Sequence, residues 1–85
     1  MARLERRAEM REIRKNLLAL KSDKILTALM KDKEFGDTVQ KNLGVLARGE
    51  HSDTALQMKY LKVINYIQTV NQLEERLRVL RGEKI

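Results

Sequence analysis

The chain has 85 residues, of which 42% are apolar and 35% charged, and it contains no cysteine, proline or tryptophan. That length allows one domain at most, and the composition excludes disulfides, thiolate metal sites and cysteine nucleophiles while disfavouring both a membrane span and wholesale disorder. Eighteen basic and twelve acidic residues give a formal charge of +6, and the excess is local, because residues 1–24 hold eight basic and four acidic side chains.

An abundance of Leu, Lys, Arg, Glu and Gln without proline predicts an all-α fold. The expected architecture is a single helical domain over residues 1–85, a small bundle with segments at about 2–20, 23–34, 37–48 and 54–81 and a long, coiled-coil-like C-terminal helix that makes the chain oligomeric. Gly36, Gly49 and Gly82 each follow a helical pattern and are read as C-terminal caps. Gly44 lies inside an apolar repeat and should weaken its helix by about 1 kcal/mol relative to alanine, unless a neighbouring backbone must come close.

The first segment sorts its charges by face. Arg3, Arg7, Arg11 and Arg14 form one ridge with Lys15 beside its end, and Glu5, Glu9 and Glu12 form another roughly opposite. A row of planar guanidinium forks suits successive phosphates or carboxylates, so these five cations are the candidate contacts for nucleic-acid phosphate or an acidic partner. A solvated helix face is the competing account.

On one continuous helical wheel, Met10, Ile13, Leu17 and Leu20 would lie nearly opposite Ile25, Leu26, Leu29 and Met30. A break at Lys21 to Asp23 resolves the conflict, with Ser22 or Asp23 as the N-cap of a second helix, and an unbroken helix held between two partners is the rival. A third segment should be capped by Asp37 or Thr38 and present Val39, Leu43 and Leu46. The stretch Val39 to Val45 resembles the entry to a helix-turn-helix, but Gly49, Glu50 and Asp53 fall where a recognition helix needs other residues, and a plain amphipathic helix fits better.

After a short polar connection, Leu56, Tyr60, Val63, Ile67, Val70, Leu73, Leu77 and Leu80 form a ladder of period about 3.5. These eight are the candidate oligomer or partner interface, where an aspartate at Val63 or Val70 should be disruptive. Met58, Leu61 and Ile64 lie partly off the ladder and give the first half of the helix a second apolar side. Asn71 falls close to the seam and could fix its register, though a solvated flank suits it and Asn65, Gln68 and Gln72 equally.

No catalytic residue, metal ligand set or cofactor site is expected. Glu50, His51 and Asp53 lack a third anchored ligand or a nucleophile, and Ser22 and Ser52 read as caps. Tyr60 and Tyr66 lie on or beside the ladder, away from the arginines, so any nucleic-acid contact would be to phosphates rather than to bases. The charged residues at the start of the chain offer no secretory hydrophobic core, which predicts an intracellular protein, cytoplasmic or nuclear. The expected function is a non-enzymatic helical assembly protein that binds itself or another helical protein through its C-terminal helix. The alternative is a small basic dimer that regulates DNA or RNA through the arginine ridge.

Overall fold

The computed structural model describes residues 3–82, and it is all-α: five helices and no strand among the described residues. They are α1 (Arg3–Lys21), α2 (Lys24–Lys31), α3 (Lys33–Lys41), α4 (Leu43–Ala47) and α5 (Thr54–Leu80). The expected helix start at residue 2 lies outside the described residues.

The chain breaks where the two apolar faces conflict. Asp23 caps α2, its carboxylate accepting the Leu26 N–H at 3.0 Å. Ser22 instead closes α1, its hydroxyl donating to the Leu18 carbonyl at 2.7 Å. With the break made, α1 turns Ile13 and Leu17 onto Leu77 and Leu80 of α5, with Met10, Val70 and Leu73 packed around them. Leu26 and Leu29 then lie beside Tyr66 and Thr69, one stretch further back along α5.

The next boundary differs from expectation. The predicted segments 23–34 and 37–48 are replaced by three short helices, because Asp32 acts at a junction that neither Gly36 nor Asp37 controls. Its backbone N–H closes α2 on the Leu29 carbonyl, while its side chain accepts the N–H groups of Glu34 and Phe35 and so starts α3. Gly36 is therefore inside a helix, its N–H bonded to the Asp32 carbonyl, and it is no cap. Thr38 is no cap either, since its hydroxyl donates back to the Glu34 carbonyl within α3. A second break at Asn42 separates α3 from α4, and α4 is five residues long, too short to serve as a recognition helix.

Gly49 does end α4, with φ +74°. The Glu50 N–H reaches the Val45 carbonyl and the Gly49 N–H reaches that of Leu46, the paired bonds of a Schellman cap that needs a left-handed residue at this position. Gly82 has a φ of +79° after the end of α5. Gly44 has no backbone pressed against it: a Cβ there would meet only an Arg48 guanidinium nitrogen at 3.5 Å, an ordinary contact.

Nothing lies within 4 Å of a Cβ placed on Gly36. Gly36→Ala should therefore raise stability by about 0.4–1 kcal/mol, by removing conformational freedom from the unfolded chain at a site alanine accepts. A thermal melt checks this, and a lower midpoint would contradict the helical placement.

Below α4 the chain is tied to α5 by one buried amide. Gln57 donates to the Leu46 carbonyl at 2.9 Å and accepts the His51 N–H at 3.0 Å, holding the connection against the helix. Asp53 then caps α5 through the Leu56 N–H at 3.2 Å. The first four helices thus progress along α5 from its C-terminal to its N-terminal end, giving an elongated body of 50 × 24 × 19 Å.

Candidate functional site

Two surfaces stand out, one apolar and one cationic. The ladder residues of α5 do not form a single free seam. Leu73, Leu77 and Leu80, with Val70, pack on α1, whereas Tyr60, Val63 and Ile67 share a groove with Met30, Phe35 and Val39. Tyr60, Leu77 and Leu80 are buried within one copy of the chain, Leu56, Val63, Val70 and Leu73 are half-buried, and Ile67 is just exposed. Much of the predicted interface is thus used to fold the chain itself.

The second apolar side of α5 is partly uncovered, since Ile64 is half-buried in the groove with Phe35 and Val39 while Met58 and Leu61 are not. Met58 is 63% exposed and Leu61 51% exposed, and both lie in a shallow depression with Lys62 and Asn65. The same Lys62 and Asn65 border the neighbouring depression between α2 and α5, where Ile25 is 83% exposed. The two depressions therefore adjoin at Lys62 and Asn65 and form one strip, with Ile25 on one side and Met58 and Leu61 on the other. Asn65, Gln68, Asn71 and Gln72 are all exposed, so none of them fixes a buried register within this chain.

The cationic surface belongs wholly to α1. Arg3, Arg7, Arg11 and Arg14 line one open groove as their spacing predicts, and Arg6 joins them around Met10. Lys15 is exposed but is not part of this lining. Arg6 lies an i+3 step from Arg3, the same step that links Arg11 to Arg14, so helical spacing reaches it as well. Residues 3–8 are all exposed, and packing on α5 begins at Glu9 and Met10.

The acidic ridge opposite is partly spent on the fold. The Arg76 guanidinium donates to both Glu9 carboxylate oxygens, at 2.7 and 3.2 Å, and these hydrogen bonds hold the Glu9 carboxyl below its usual range. Lys21 pairs with Glu74 at 3.1 Å. Both links join α1 to α5 on the surface.

The Glu50, His51 and Asp53 group is likewise spent on local structure. Glu50 pairs with Arg48, His51 Nδ1 accepts the Asp53 N–H at 3.0 Å, and Asp53 caps α5. Among the described residues no group of three or more His, Cys, Asp or Glu is placed to hold a metal ion, and no helix is long and apolar enough to cross a membrane. No family model matches the chain, and neither does any curated protein or solved structure.

Proposed function

We propose that the chain is a non-enzymatic helical assembly module that pairs with a second copy of itself through the strip formed by Ile25, Met58 and Leu61. What carries this reading is surface area. A folded monomer of 9.9 kDa should expose about 5,200 Å² by the mass scaling of compact proteins, and this chain exposes 6754 Å². Its radius of gyration, 16.4 Å, is likewise larger than the roughly 12 Å of a compact chain of this length. The surplus exceeds the ~800 Å² that each partner contributes to a standard interface.

Pairing of the first half of α5 with its counterpart in a second copy would cover Met58 and Leu61 in a self-complementary patch. The chain's own helices pack on the ladder side of α5, which leaves the Met58 and Leu61 side for the second copy. A different helical protein is the competing occupant of the same strip.

Solution mass tests the proposal. The wild type should behave as a dimer, and Leu61→Asp should reduce it to one chain while far-UV circular dichroism retains its helical signal, because Leu61 is exposed in the single copy. A wild-type mass of one chain at every concentration, or a dimer that Leu61→Asp leaves intact, would overturn it.

A further inference from the structure

The groove on α1 lies apart from the docking strip and supports a separate inference. We propose that Arg3, Arg6, Arg7, Arg11 and Arg14, arranged around Met10, form a binding site for the phosphate backbone of duplex nucleic acid.

No carboxylate lines this groove. Among the described residues the ion pairs are Lys21–Glu74, Arg48–Glu50, Arg76–Glu9 and Arg78–Glu74, so none of the five arginines is neutralised by the fold. Of the three carboxylates on the same helix, Glu9 is held by Arg76 on α5, and Glu5 and Glu12 lie on the ridge roughly opposite, outside the groove lining. Arg3 and Arg14 are separated by a rise of about 16 Å along the helix. Duplex nucleic acid carries one negative charge per ~1.7 Å of axis, so about ten phosphate charges fall within that span.

The groove's composition distinguishes this ligand from other anionic surfaces. An amphipathic helix binds a membrane by burying a broad apolar face in the lipid, but on α1 Met10, Ile13 and Leu17 pack on α5, and only Leu4 and Leu18 remain as large exposed apolar side chains. An acidic protein partner would be expected to find a desolvated apolar or aromatic anchor at the centre of the contact. Here the centre is one half-buried methionine. A polyphosphate needs neither, because neutralisation of phosphates and release of counterions supply the affinity. Because the proposal sets the arginines on phosphates rather than on base edges, binding should be insensitive to base sequence.

The test is fluorescence anisotropy with two labelled DNA duplexes of unrelated sequence, each about 20 bp long, titrated between about 50 and 200 mM salt. Five phosphate contacts predict a slope of log affinity against log salt of about −4.5, or roughly a 500-fold loss across that range. The double variant Arg7→Ala/Arg11→Ala should reduce the slope to about −2.7, a roughly 40-fold loss. Arg7→Lys/Arg11→Lys should restore the slope, and Lys31→Ala/Lys33→Ala, which removes the same charge elsewhere on the surface, should leave it unchanged.

Circular dichroism of each variant separates loss of contact from loss of fold. Three outcomes would overturn the proposal: no duplex binding at the lowest salt, a slope that the arginine variants do not change, or equal losses from the arginine and lysine pairs. Poly-glutamate competing as well as duplex at equal charge would reassign the groove to an acidic protein, and binding to phosphatidylserine vesicles in place of duplex would reassign it to a membrane surface.

Discussion

Leu46→Ala is expected to cost about 2–5 kcal/mol, the range for truncating a buried leucine where the surroundings cannot collapse. Leu46 is the one fully buried side chain among the described residues, at 0% exposure, and it sits where α4 meets the Gln57 bridge to α5. Domains of this length are stable by only about 4–13 kcal/mol, so the change removes a large share of the total. The thermal midpoint should fall by roughly 10 °C or more, since each kcal/mol shifts a small domain by about 4–8 °C.

Leu43→Ala provides the control on the same short helix. Leu43 is 51% exposed, and its truncation should shift the melt only slightly. Equal shifts for the two variants would mean that α4 does not anchor the chain as described.

Leu77→Asp has the other large effect. A carboxylate at this position would enter the cluster of Ile13, Leu17 and Leu80 without a partner, at a cost of several kcal/mol. The surface links from Glu9 to Arg76 and from Lys21 to Glu74 are too solvent-screened to hold α1 in place once that cluster is broken. The variant should lose cooperative melting and much of its helical signal, and trypsin should cut readily within residues 3–21. A folded, protease-resistant Leu77→Asp would disprove the packing of α1 on α5.

The contrast with Leu61→Asp separates folding from association. Val63 and Val70, which the ladder suggests as probes of an interface, do not separate them, because both are half-buried against the chain's own helices. An aspartate at either position would damage the single copy first.

Local signals in the sequence identify several features correctly. The opposed apolar faces of residues 10–20 and 25–30 favour a break at Lys21 to Asp23 over an unbroken helix held between two partners, and the structure makes that break. Gly49 is recognisable as a cap from its position after the apolar pattern, whereas Ser52, the serine read as a cap before the long helix, gives way to Asp53, whose carboxylate accepts the Leu56 N–H. The arginine ridge follows directly from helical spacing.

Other features depend on competition between neighbouring residues. Gly36 is a plausible cap until Asp32, four residues earlier, claims the Glu34 and Phe35 N–H groups and draws the glycine into α3. Gln57 is an unremarkable polar residue in sequence, yet it is buried because two backbone groups, the Leu46 carbonyl and the His51 N–H, converge on it from the preceding connection.

The sequence by itself determined that the chain is all-α, which face of α1 carries the arginines, and that α5 is apolar on two sides. Those properties arise from helical periodicity and capping, which act over a few residues. Only the tertiary structure decided which side of α5 is filled from within. The seam at Tyr60, Leu77 and Leu80 is covered by the chain's own earlier helices, while Met58 and Leu61 face outward. The physical reason is that an apolar stripe has the same pattern whether it is buried by the same chain or by another, and the difference is set by how the short helices turn at Asp23, Asp32 and Asn42.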